Sequence, residues 1–156
     1  MNNAQNIRTL VVQGPASVAT NATSAVTADT LGYDYAMVDV VHSPATATNS
    51  SAKWTALQLE HGTTTDATNH TTISGAVGTT NSTTAATQFV LPVHNDTSVG
   101  GIVRFFVNLA GKERYLRIEK HATDSHDTTC DTVHLFRGDA VPDTASLRGV
   151  NGFVIV

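Results

Sequence analysis

The side chains best suited to chemistry cluster between residues 121 and 134, where the sequence places three histidines, three aspartates and the only cysteine. Imidazole, carboxylate and thiolate groups are all ligands for zinc and other transition metals. The candidate metal ligands are His121, His126, Cys130 and His134. Their spacing matches no standard zinc signature. We therefore expect neither a metal site nor a cofactor, and we keep a metal-dependent enzyme as an alternative.

The same segment contains residue types that are used in acid–base and nucleophilic catalysis. Cys130 is a potential nucleophile beside a histidine, and the pairs His121–Asp124 and His126–Asp127 have the composition of acid–base pairs. No glycine-flanked nucleophile elbow surrounds Cys130, and the sequence has no glycine loop for phosphate or dinucleotide binding. We therefore predict a protein that is not an enzyme and has no catalytic residues.

Aromatic residues offer a different kind of site. Trp54, Tyr33, Tyr35 and Tyr115 are the side chains from which a platform for stacking sugar rings would be built. The alternative is that these rings pack within the sheets or at a subunit interface. A carbohydrate-binding module is therefore kept as a function of a second class.

The composition favours β-structure. Charged residues make up only 14% of the chain, and Thr and Ser are abundant. Thr is β-branched and fits a pleated surface, whereas strong helix formers are sparse and no stretch shows a 3.6-residue apolar period. The strands, if they form, must be stabilised by packing, because a single cysteine rules out an internal disulfide framework.

The charge and apolar patterns exclude several partners. The formal net charge is −4, which argues against nucleic acid and against an anionic membrane surface. No apolar run reaches the roughly 18 residues that span a bilayer. The first ten residues lack the regions of a secretion signal, which predicts synthesis in a cytosol.

Alternation of apolar and polar residues predicts seven or eight strands. The clear ones cover 33–42, 53–61, 88–93, 102–109, 113–121, 132–137 and 152–156. A weak edge strand is expected within 17–30, and the long polar segment 62–86 is expected to conceal a strand at 71–74. Ala110-Gly111-Lys112 predicts a tight hairpin, and 123–131 a loop. The whole predicts an all-β fold, an antiparallel β-sandwich of jelly-roll type.

The domain organisation is expected to be simple. Residues 1–14 are predicted to form an extended N-terminal arm and residues 15–156 a single sandwich domain, with Gly14-Pro15 as the break. Ile7 to Val12 is either a first strand or a part of the arm that pairs elsewhere. An arm or terminal strand can join a neighbour's sheet through main-chain hydrogen bonds. The candidate interface residues are Ile7, Leu10, Val12, Phe153 and Ile155.

The order of strand motifs from Leu31 onward resembles small virion proteins of tailed bacteriophages. The motifs are Tyr33-Asp34, then Leu57, Leu59 and Glu60, then Arg114 to Arg117, and the resemblance covers about residues 31–137. His61-Gly62-Thr63 stands where that pattern often has an Asp-Asp-Gly turn. The resemblance implies a β-sandwich that decorates or cements a capsid, or that sits at the neck or tail.

From the resemblance and the strand pattern we expect a phage head decoration or cement protein. Its partners would be the major capsid protein and further copies of itself, as a homotrimer or homodimer. It would be made in the host cytoplasm and would lie on the outer surface of the head. The alternative within the same class is a neck, tail or receptor-contacting virion protein.

Overall fold

The fold is all-β. The computed structural model describes residues 7–19, 22–43, 54–79, 88–91, 100–122, 126–137 and 152–155. These residues form ten strands and one turn of 3₁₀ helix, Ala67–Asn69. The strands are β1 (Ile7–Val18), β2 (Ala22–Asp29), β3 (Tyr35–His42), β4 (Trp54–Gly62), β5 (His70–Thr79), β6 (Gln88–Val90), β7 (Gly101–Asn108), β8 (Tyr115–Ala122), β9 (His126–Phe136) and β10 (Gly152–Ile155). No helix among them is long and apolar enough to cross a membrane.

The strands form two sheets. Sheet A has the order β1-β9-β3-β7-β10, and sheet B has the order β2-β8-β4-β5-β6. In each sheet the first four strands are antiparallel. The short fifth strand at the far edge runs parallel to its neighbour. The predicted all-β, antiparallel architecture is confirmed at this level.

One hydrophobic core is shared by the two sheets. Val38 and Val40 of sheet A and Leu57 and Leu59 of sheet B are fully buried. Such a side chain contributes about 1.5–3 kcal/mol relative to an exposed one. Alternation along β7 and β8 has the period of two of a strand, because every second residue faces the core. The core-facing residues of these two strands are Val103, Phe105, Val107, Leu116, Ile118 and Lys120.

The first strand crosses the predicted boundary between arm and domain. Ile7 to Val18 pairs with β9, so residues 7–14 belong to sheet A rather than to a free arm. The register is regular from Ile7 to Val11 and then shifts three times before Val18. Of the two alternatives for this segment, a first strand is the one that the structure has. Residues 1–6 lie outside the described part.

Two weak strand predictions are confirmed. The polar segment 62–86 contains β5, which covers the predicted 71–74, and the small-residue segment 17–30 contains β2 at the edge of sheet B. In both segments the inward positions are occupied by small or single apolar residues, such as Ala28 and Ile73. The alternation is therefore faint in the sequence.

Two other predictions are wrong. A tight turn does form at 109–112, where the Lys112 amide donates to the Leu109 carbonyl and Gly111 has a φ of 73°. It is not a hairpin, because β7 belongs to sheet A and β8 to sheet B. The predicted loop 123–131 is also mostly strand, since β9 begins at His126. Its inward residues Thr129 and Asp131 are polar, which hides the pattern.

Candidate functional site

The candidate metal ligands are not brought together. His121 lies on β8 in sheet B, where its Nδ1 is 2.7 Å from the Thr55 hydroxyl. Cys130 and His134 lie on β9 in sheet A, four residues and about 13 Å apart along the strand. The His126 side chain lies outside the described part. Among described residues, no three His, Cys, Asp or Glu side chains form a group that could hold a metal ion.

His134 belongs instead to a row of polar side chains across sheet A. Thr9 Oγ1 lies 2.9 Å from His134 Nδ1, and His134 Nε2 lies 3.8 Å from Asp39 Oδ2. Arg104 then holds Asp39 with two hydrogen bonds, one from Nη2 at 2.6 Å and one from Nε. The four residues come from four neighbouring strands, β1, β9, β3 and β7. Hydrogen bonding to Asp39 raises the pKa of Arg104.

This row has the residue types of a hydroxyl–imidazole–carboxylate triad but not its geometry. A catalytic base needs an orienting partner within about 2.6–3.2 Å, and the His134–Asp39 distance is 3.8 Å. Asp39 is also engaged by both nitrogens of Arg104. The row therefore ties four strands together, and the imidazole beside the Thr9 hydroxyl has no orienting hydrogen bond from Asp39.

A second polar network lies on sheet B. Arg117 pairs with Glu60 on β4 and with Glu119 on its own strand, at 2.6 Å for the latter. The Gln58 amide donates to both carboxylates, at 3.0 and 3.1 Å. Arg117 and Glu60 are nearly buried. Both networks contain cross-strand pairs of the kind that stabilise sheets.

A third polar cluster lies between the sheets. Lys120 of β8 and Asp131 of β9 are fully buried, and their Nζ and Oδ2 atoms are 2.6 Å apart. The ammonium also donates to Gln13 Oε1 at 2.7 Å and to Thr129 Oγ1 at 3.1 Å. Burial lowers the pKa of Lys120 and raises that of Asp131. Charged residues are almost never fully buried unless they are paired.

Sequence reasoning missed this cluster, although one signal was present. Lys120 occupies the third inward position of β8, after Leu116 and Ile118, so the period of two puts its side chain in the core. Asp131 is one of the three aspartates of the 121–134 cluster and falls in the segment 123–131 that the sequence predicts as a loop. A lysine on the apolar face of a strand indicates a buried partner.

The candidate interface residues divide by strand face. Ile7 is 45% exposed, whereas Leu10 and Val12 pack against the core. Val11, which was not among the candidates, is 64% exposed and lies on the same strand face as Ile7 and Thr9. We call Ile7, Thr9 and Val11 the β1 edge. The period of two would have selected this set.

The other two candidate interface residues lie on β10. Phe153 and Ile155 are paired in parallel with Arg104 and Phe106 of β7. Their side chains lie outside the described part. The backbone places β10 at the opposite edge of sheet A from β1.

The aromatic residues do not form a common platform. Trp54 is buried and packs edge-on against His42 at 5.6 Å between ring centroids. A register shift between Trp54 and Ala56 accompanies its inward placement. The guanidinium of Arg137 covers the Tyr33 ring, and that of Arg114 the Tyr115 ring. In each contact the guanidinium covers one face of the tyrosine ring, a face on which a sugar would otherwise stack.

Comparison with known proteins adds no assignment. No protein-family model, no curated protein and no solved structure matches the chain.

Proposed function

We propose that this chain is a structural protein of a tailed-bacteriophage virion. It acts as a decoration or cement protein that binds the major capsid protein on the outer surface of the head. The observation that carries the proposal is the β1 edge, where the apolar side chains Ile7 and Val11 are 45% and 64% exposed at the border of a sheet. Exposed apolar groups beside unpaired main-chain groups are what a partner strand or surface can cover.

The backbone of β1 limits where a partner can pair. Within the described residues no strand is hydrogen-bonded to its second edge. The regular register ends at Val11, and the later half of the strand contains three register shifts and Pro15, which has no amide hydrogen. Bulges and proline are devices that prevent unwanted strand pairing. The segment open to a partner is therefore Ile7 to Val11.

The strand order supports a jelly-roll assignment for the fold. When the short β6 and β10 are set aside, the eight remaining strands form nested antiparallel pairs, β1 with β9, β2 with β8, β3 with β7, and β4 with β5. Such nesting results when one long hairpin is rolled into two sheets. Jelly rolls are used by viral capsid and lectin domains and by cupins. The fold is thus compatible with a virion role and does not by itself select it.

The mechanism we propose is mechanical. Each copy bridges neighbouring capsid subunits, with the β1 edge against the capsid or against another copy in a homotrimer or homodimer. Because the protein would bind the assembled shell and not free subunits, binding stabilises assembly by mass action. The cross-strand networks on both sheets suit this role, since they connect neighbouring strands and resist their separation under mechanical stress.

The test is the copy number of the chain in purified particles, measured by mass spectrometry against the major capsid protein. A ratio near one per capsid subunit is the expected result. A few copies per particle would move the protein to the neck or tail. Absence from particles would overturn the proposal.

A variant pair connects that measurement to the β1 edge. Val11→Lys places a charge in the proposed contact, whereas Leu31→Lys changes an equally exposed apolar residue, 65% against 64%, at a turn outside the edge. The expected result is loss of capsid binding for Val11→Lys alone. Equal binding of both variants would exclude the β1 edge as the contact.

A further inference from the structure

We propose that Lys120 and Asp131 become joined by an intramolecular amide bond, a covalent cross-link between the two sheets. The inference concerns the interior of the fold and does not depend on the proposed virion function. It rests on the geometry of the buried cluster described above. The modification site is the Lys120 Nζ and the Asp131 Cγ.

The reacting groups are in contact and shielded from solvent. Nζ lies 2.6 Å from Oδ2, and both side chains are 0% exposed. Positioned groups in a water-excluded site react as if at very high local concentration. Hydrolysis of the product is correspondingly disfavoured, because water has no open route to the bond.

The carboxyl group is poorly stabilised as an anion. Its second oxygen, Oδ1, is buried and has no hydrogen-bond partner among the residues that the structure describes. A buried charge with incomplete hydrogen bonding is costly. Burial raises the pKa of Asp131 and lowers that of Lys120. Both shifts lower the free energy needed to move one proton from the ammonium to the carboxylate. That transfer gives a neutral amine beside a neutral acid.

The neutral pair is the reactive one. The Nζ lone pair attacks Cγ, and an N–C bond forms. One C–O bond then breaks, and that oxygen leaves as water with its own proton and one proton from the nitrogen. No oxidant, reductant or other reactant is required, and atoms and charge balance.

Two neighbours are positioned to assist. Gln13 Oε1 accepts a hydrogen bond from Nζ at 2.7 Å and thereby orients the amine. Thr129 Oγ1 lies 3.1 Å from Nζ, where a hydroxyl can pass a proton from the nitrogen to the leaving oxygen. Both are positioning residues, since the bond forms between Lys120 and Asp131.

The consequence would be a permanent tie between sheets. Lys120 lies on β8 of sheet B and Asp131 on β9 of sheet A. A disulfide cannot serve here, because the chain has one cysteine. Unlike a disulfide, an amide is unaffected by the reducing conditions of a cytosol.

The experiment is intact mass spectrometry of the full chain, purified folded and then denatured in acid. The expected mass is lower than the sequence mass by one water molecule. Because no Lys or Arg other than Lys120 lies between Arg117 and Arg137, digestion with trypsin should leave Ile118 to Arg137 as one peptide, lighter than its sequence by one water molecule and closed into a loop between Lys120 and Asp131. Cleavage after Lys120 should be absent. A folded wild-type chain that keeps its full sequence mass after prolonged incubation would overturn the proposal.

Controls separate the cross-link from other losses of water. Lys120→Arg keeps the positive charge but replaces the amine with a guanidinium, and Lys120→Met with Asp131→Leu replaces the pair by apolar side chains; both should retain full mass. Thr129→Val should slow the loss of mass in freshly refolded protein. A water loss that maps to a peptide cleaved after Lys120, such as one that contains a cyclised aspartate, would contradict the proposal, whatever the folding of the variants.

Discussion

Two ion pairs of this protein have the same length and opposite surroundings. Lys120–Asp131 and Arg114–Asp29 both have nitrogen–oxygen distances of 2.6 Å. The side chains of the first pair are 0% exposed, and those of the second are 46% and 40% exposed. Burial raises the pKa of Asp131, whereas the hydrogen bond from Arg114 lowers that of Asp29 to about 2. Distance alone therefore does not determine what an ion pair contributes.

The reason is solvation. In the exposed pair, water already stabilises both charges, so the partner adds little, typically about 0–1 kcal/mol. In the buried pair, each charge has lost its water, and removal of one partner leaves the other uncompensated. The network of Arg117 with Glu60 is intermediate, since their side chains are 10% and 11% exposed. The three sites form a series of cation–carboxylate pairs in which the burial of the side chains varies.

The largest effect is expected for Lys120→Met, compared with freshly refolded wild type in which Lys120 and Asp131 are not yet joined. It leaves the Asp131 carboxyl buried without its cation, and breaking a buried pair in this way costs about 3–5 kcal/mol. Urea unfolding followed by circular dichroism measures the loss. The matched control is the double change Lys120→Met with Asp131→Leu, which removes both charged groups and should recover much of the stability. Equal instability of the two variants would mean that packing, and not the unpaired carboxyl, is responsible.

A smaller loss is expected for Arg117→Met. The methionine retains much of the apolar stem of the side chain but removes the hydrogen bonds to Glu60 and Glu119. Hydrogen bonds to charged groups contribute about 1.5–3 kcal/mol. Unfolding in urea at neutral pH should place this variant between the wild type and Lys120→Met. A loss of stability as large as that of Lys120→Met would show that partial exposure does not reduce the cost of leaving a carboxylate without its cation.

Asp29→Asn tests the exposed end of the series. At neutral pH its cost should be less than about 1 kcal/mol, because solvent and salt screen the pair. The pKa of Asp29 is lowered from 3.8 to about 2 in the folded protein. Its contribution is therefore present above pH 3.8 and lost as the pH falls toward 2.

The measurement is the difference in urea midpoint between wild type and Asp29→Asn at pH 6 and at pH 2. The difference should shrink at the lower pH. A difference that grows on acidification would contradict the direction of the shift. Added salt at pH 6 should also reduce the difference in urea midpoint between wild type and Asp29→Asn. The corresponding difference for Lys120→Met should not change with salt, because that pair is buried.

The smallest effect on stability is expected for Val11→Lys. The side chain is 64% exposed, and substitutions at such positions usually change stability by less than about 0.5 kcal/mol. The same should hold for the control Leu31→Lys. Thermal unfolding of both variants checks this point. A large loss for Val11→Lys would indicate that the β1 edge is structural, and its effect on capsid binding would then need a milder substitution.

The strands were predictable wherever alternation involves large apolar residues. Val103, Phe105 and Val107 all point inward as the period of two requires. The first half of β9 was not predicted as a strand, because its inward residues Thr129 and Asp131 are polar. Their hydrogen-bond partner Lys120 belongs to the other sheet. The pattern within one strand carries no information about a contact that a strand of the other sheet completes.

The site residues show the same limit. His121, Cys130 and His134 are close in sequence, yet they lie on two different sheets. The turn at Gly111 was predictable from its residues, whereas its role as a connection between sheets was not. Turn chemistry determines the local path of the chain and not which strand becomes the neighbour.

The sequence by itself determined that this chain forms strands, because its Thr-rich composition and period of two favour pleated surfaces and leave no amphipathic helix. Where the alternating residues are large and apolar, as in β7, it also determined which residues share the inward face. Only the tertiary structure decided which sheet each strand joins, and therefore that Lys120 and Asp131 meet in the core. The physical reason is that alternation selects the face of a strand, whereas the packing of two sheets selects what that face touches.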